Sequence, residues 1–125
     1  MRTLLDANAV CRYLVHDIPE QAEKTAEVID AGVAELTIEV LAECIYVFTG
    51  FYGKPRADVA CVLGALLDET WCGREEVARK SLALYGARKL DFVDCVLLAE
   101  SIVNDRAVLT FDKKLLRAMK AASRR

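Results

Sequence analysis

Asp94 lies inside an almost wholly apolar run, Phe92-Val93-Asp94-Cys95-Val96-Leu97-Leu98-Ala99, where a lone carboxylate has no ordinary place. Read with helical periodicity, Asp91 to Val103 is a helix packed on more than one side. Leu97 and Leu98 sit three and four residues beyond Asp94, which directs its side chain toward the interior or a cleft. A carboxylate there stays ionised only if something positive faces it, because desolvation otherwise drives protonation. A plainer reading stands beside this one: Asp91 caps the helix and Asp94 bonds its first-turn amides.

Three more acids fall where α/β folds build sites. Asp6 follows the apolar Thr3-Leu4-Leu5, and Asp112 follows Ala107-Val108-Leu109-Thr110-Phe111, each just past the carboxyl end of an expected strand. Each is equally readable as an N-cap, with Asn8 an alternative cap beside Asp6. Glu43 borders the apolar face formed by Val40, Leu41, Cys44, Ile45, Val47, Phe48 and Phe51, whereas Glu39 points further from that face and into solvent. Four carboxylates meeting without matching bases would repel one another and raise their own pKa values. A hard divalent cation relieves that conflict, and an all-oxygen donor set selects Mg²⁺ or Mn²⁺ over zinc. Such an ion activates water and neutralises phosphate charge, so phosphodiester hydrolysis is the chemistry these residue types imply.

The elements that must position these acids are legible from periodicity. Arg2 to Leu5 and Val33 to Thr37 read as strands, and Trp71-Cys72 and Ala107 to Thr110 as shorter ones. Helical patterns run through Val10, Cys11 and Leu14, from Pro19 to Ala31-Gly32, over Ile38 to Phe51, Arg56 to Leu67, Arg74 to Tyr85, and Lys113 to Met119. The alternation implies a three-layer α/β/α domain, with a mainly parallel central sheet flanked by helices, spanning residues 1–125 as a single unit. The aromatics Tyr46, Phe48, Phe51 and Tyr52 suit either core or a partner-facing surface. No internal repeat or low-complexity linker interrupts the chain.

Composition excludes several classes. With 125 residues and 54% hydrophobic content the chain suffices for one substantial core, and its net charge of −2 advertises no strong polyanion affinity. The positive charge is unevenly placed, however. Lys113, Lys114, Arg117, Lys120, Arg124 and Arg125 crowd the C-terminal stretch against Asp112 alone, either to steer a polyanion or as a solvated helix end. The five cysteines are odd in number and form no C-x-x-C pair, which points to a reducing, cytoplasmic setting with thiols packed as small hydrophobes. His16 is the sole histidine, so no Ser-His-Asp or Cys-His arrangement is suggested. Neither a signal peptide nor a membrane span is expected.

The residues also carry a resemblance. Leu5-Asp6-Ala7-Asn8, Leu41-Ala42-Glu43, Asp91-Phe92-Val93-Asp94 with Leu97-Leu98-Ala99, and Leu109-Thr110-Phe111-Asp112 resemble the four acidic motifs of the PIN-domain ribonucleases, with the size and order of their VapC-like toxin subgroup. The resemblance implies metal-binding and catalytic acids at Asp6, Glu43, Asp94 and Asp112, with support from Asn8 and Thr110 and a share for Asp91. It also implies Mg²⁺- or Mn²⁺-dependent cleavage of RNA, a homodimer, and an inhibitory antitoxin. Two departures stand out. Ala7 replaces the Thr or Ser usual in that family, which implies looser metal geometry, and Ala118 to Arg125 lacks the apolar run of a last edge strand.

Rival classes fit less well. A receiver-type domain needs adjacent acids after its first strand, where Ala7 stands, and an acceptor Asp ending a central strand. A haloacid-dehalogenase-type phosphatase needs D-x-D where this chain has Asp6-Ala7-Asn8. A PIN-like module that binds RNA or protein without cutting remains a third possibility.

Overall fold

In the computed structural model, which describes residues 1–123, helices dominate. Among those residues the order is β1 (Thr3–Leu4), α1 (Ala7–Val15), α2 (Pro19–Asp30), β2 (Ala34–Glu35), α3 (Ile38–Tyr46), α4 (Arg56–Leu67), α5 (Glu75–Ala87), α6 (Phe92–Asn104) and α7 (Lys113–Ser123). Local chemistry sets most boundaries. Asp6 caps α1, its Oδ1 accepting from the Ala9 amide at 2.8 Å, and Thr37 caps α3 through the Val40 amide at 3.2 Å. Pro19 opens α2 at a position where its missing N–H costs nothing. Gly32, at φ +75°, makes the left-handed turn that releases the chain into β2.

The sheet is parallel, as expected, but much smaller than expected. β1 and β2 pair Thr3 with Ala34 and Leu4 with Glu35. Trp71 extends the sheet by one parallel bridge to Glu35, exchanging 2.8 Å bonds with Ala34 and Leu36. The expected strand at Ala107 to Thr110 does not form: among the described residues none of its amides donates to another segment. Only Val108 packs on the core, while Leu109 and Phe111 are 87% and 88% exposed. Without a buried face the segment gains too little to offset the entropy of ordering it as a strand.

The helices follow the periodicity closely. The expected Ile38 to Phe51 helix changes character at Val47, where Val47–Phe51 widens into a π-helix and the Thr49 hydroxyl bonds back to the Ile45 carbonyl at 2.7 Å. Phe48 enters the core and Tyr52 is half-buried, whereas Tyr46 and Phe51 are exposed, so the aromatic group splits between core and surface. The C-terminal basic stretch is helical to Ser123; Arg124 and Arg125 lie outside the described residues.

One hydrophobic cluster draws residues from every helix from α1 to α7, with Val10, Leu36, Leu41, Leu63, Leu98 and Leu115 almost fully enclosed. α6 is central, packing on α5, α7 and α3. Cys11, Cys44 and Cys95 are buried in this cluster, and burial pushes the Cys44 thiol up to about 12 and Cys95 to about 11. Both therefore stay protonated at neutral pH. A disulfide-exchange reagent at pH 8 is expected to label the exposed Cys61 within minutes and to reach Cys44 and Cys95 only after unfolding; equal rates at all three would contradict this core.

Candidate active site

The first turn of α6 opens with two carboxylates that nothing holds. Asp91 occupies the N-cap position of α6, yet its side chain accepts no capping bond. Asp94, three residues on and partly buried, accepts none either, and among the described residues neither acid forms an ion pair. The capping alternative for this pair therefore fails. Among the described residues no side-chain cation pairs with Asp94. Its carboxyl pKa is raised by burial first, then by the charges of Asp112 and Asp91.

Glu100, two turns later on the same helix, shows what a structural acid looks like here. It is buried, accepts from Asn104 at 2.7 Å, and pairs with Arg74 and Arg106. The Asn104 hydrogen bond, followed by the Arg74 contact, holds its carboxyl below the usual range. One acid on α6 is thus fully partnered, and the other is left against like charge.

Asp112 stands at the start of α7, its Oδ1 accepting from the Leu115 amide at 2.9 Å, while the Thr110 hydroxyl accepts from the Asp112 amide at 3.1 Å. Capping engages one carboxylate oxygen and leaves the other available. Asp91, Asp94 and Asp112 line one open recess together with Lys89, Lys113 and Lys114. Opposite charges thus share this recess without pairing.

Asp6 and Glu43 are the two remaining candidate acids. Asp6 ends β1 and caps α1, Glu43 is exposed on α3, and the negative charge of both contributes to the raised pKa of the Cys44 thiol. Glu39 is exposed as expected. Asn8 is exposed too, and its side chain bonds to none of the acids. The helix bearing Glu43 packs on both α1 and α6, so the candidate acids belong to adjoining elements. Among the described residues, however, no three potential metal ligands are gathered at one point. The donor chemistry, oxygen-only and self-repelling, fits a hard divalent cation.

Sequence reasoning overlooked Lys89, which lies two residues before Asp91 and shares the recess with Asp112, Lys113 and Lys114 from the start of α7. It also overlooked Arg56, a cation at the first position of α4, where the helix dipole disfavours it. That mismatch was the available signal. A separate apolar recess, lined by Leu14, Val15, Phe48, Tyr52, Val59, Val62 and Leu63, lies away from the candidate acids.

A small parallel sheet with strand-end and helix-start carboxylates defines a mixed α/β domain of the acidic-site kind. The PIN domain pattern matches residues 3–121, nearly the whole chain, and the protein belongs to the PIN domain family. Members of that family are generally nucleases, hydrolases of phosphodiester bonds. No curated relative and no solved structure matches the chain. Among the described residues no helix is long and apolar enough to cross a membrane.

Proposed function

We propose that the chain is a single PIN-like domain acting as a Mg²⁺- or Mn²⁺-dependent endoribonuclease, the VapC-like toxin of a toxin-antitoxin pair. The observation that carries the nuclease reading is Asp94: a carboxylate unpaired among the described residues and destabilised by burial, then by Asp112 and Asp91, in a recess that also holds three lysines. A protein keeps such repulsion where it serves a ligand. Asp6, Glu43, Asp94 and Asp112 are the carboxylates that would hold the ion, with Asp91 beside Asp94 in the same recess. Thr110 supports Asp112 through its backbone amide. A bound ion supplies charge neutralisation at the phosphodiester and a lowered pKa for water.

Lys89, Lys113 and Lys114 bind the phosphates on either side of the scissile bond and offset the repulsion between the acids and a polyanion. Replacing all three by Ala is expected to raise KM while leaving kcat nearly intact. It should also flatten the dependence of log affinity on log salt by roughly 2, at about 0.7 per contact on single strands. An unchanged salt slope would remove the lysines from the substrate path.

The homodimer and the antitoxin are proposed from the resemblance, with the exposed Tyr46, Phe51 and Val62 in their support. Cytoplasmic residence is proposed from five unpaired cysteines. A second reading, a PIN-like module that binds RNA or protein without cutting it, is favoured by the absence of any three-ligand cluster among the described residues. Incubating single-stranded RNA with the protein in Mn²⁺ and in chelator separates the two. Cleavage in Mn²⁺ alone supports the nuclease, whereas retained RNA binding without cleavage in either supports the module.

A further inference from the structure

We propose that Arg56 is a positioning residue for the carboxylates that open α6, an inference that rests on the nuclease reading. Its guanidinium leaves its own helix and reaches the C-terminal end of α5, where a cation is favourable. There its Nε donates to the Tyr85 carbonyl at 3.2 Å, and its Nη2 donates to the carbonyls of Arg88, at 2.8 Å, and Leu90. The group sits over the Tyr85 ring, its central carbon 3.6 Å from the ring centre.

Those three carbonyls span the end of α5 and the whole link into α6. The last of them belongs to the residue before Asp91. Since among the described residues neither Asp91 nor Asp94 accepts a side-chain hydrogen bond, their placement depends on where the first turn of α6 begins. Side chains secure that point through Arg56, with the buried Leu90 and Phe92 packed beside it and the Cys95 thiol in weak contact with the Leu90 carbonyl. Arg56 forms no ion pair among the described residues. Its fork of donors serves backbone geometry, which the single point charge of Lys cannot reproduce.

The test compares the parent with Arg56→Ala and Arg56→Lys. Hydrogen exchange on the metal-free proteins comes first. Both variants should lose protection across residues 88–96, with the β1–β2 pairing and α2 unchanged. Mn²⁺ affinity, read by electron paramagnetic resonance, should fall about tenfold or more, the range seen when partners behind metal ligands are removed. In RNA cleavage kcat should fall with KM little changed, and millimolar guanidinium should restore part of both losses in Arg56→Ala but not affect the parent. Parental exchange at 88–96, or parental Mn²⁺ affinity in variants that merely melt lower, would overturn the proposal and leave the nuclease reading standing. If the parent itself neither binds Mn²⁺ nor cuts RNA, the nuclease reading fails and the proposal fails with it. Should Arg56→Ala not fold, the Lys variant carries the same comparisons.

Discussion

Asp94→Asn is expected to lower RNA cleavage by roughly 10²–10⁴-fold, the scale of losing one placed catalytic group, while leaving the metal-free protein folded and at least as stable. The two halves of that expectation have one cause. In the fold, the Asp94 carboxylate is disfavoured by burial and by Asp112 and Asp91, so its pKa lies above that of the unfolded chain. The native state therefore binds the proton more tightly, and stability falls as pH rises from the ordinary carboxyl value through the raised one. Asn carries no charge to be repelled, so the variant should show no such decline in that window. Denaturant melts of parent and variant across the acidic range would reveal it. A variant that unfolds, with activity following only the folded fraction, would make Asp94 structural and remove it from the site.

Mn²⁺ should raise the melting temperature of the parent and leave that of Asp94→Asn nearly where it was. A ligand that binds only the native state stabilises it by mass action, about 2.7 kcal/mol at a hundredfold excess over Kd. For a domain of this size that corresponds to roughly 10 °C. The sign is secure because the ion relieves repulsion already present between Asp94, Asp91 and Asp112. Glu100 provides the control. Its carboxylate is satisfied by Asn104, Arg74 and Arg106, so Glu100→Gln should lower the melting temperature without altering the shift that Mn²⁺ produces. Equal shifts in the parent and in Asp94→Asn would mean that the ion binds elsewhere.

Helices were the most legible part of this chain. Arg56–Leu67 begins and ends where its periodicity places it, and α6 differs from the expected Asp91 to Val103 by a residue at each end. An amphipathic helix makes its hydrogen bonds within its own segment, so its pattern survives in one dimension. A strand needs a neighbour. Thr3–Leu4 and Ala34–Glu35 found each other, whereas Ala107 to Thr110 carried the same apolar signal and found none. The acids were legible as candidates for a similar reason. An acid in an apolar helix is anomalous wherever the chain goes, but which acids become neighbours is not written in any local spacing.

From the linear order of residues alone came the family-like arrangement of acids at Asp6, Glu43, Asp94 and Asp112, the oxygen-only donor chemistry, and the helix carrying Asp94. These depend on residue type and period, which need no knowledge of distant contacts. Packing alone decided that Asp112 comes up against Asp94, that Lys113 and Lys114 join Lys89 and Asp91 in one recess, that Arg74 reaches Glu100, and that Arg56 ties down the link ahead of Asp91. Charge repulsion, ion pairing and desolvation act through space between groups that the chain separates, so only the folded arrangement can assign them.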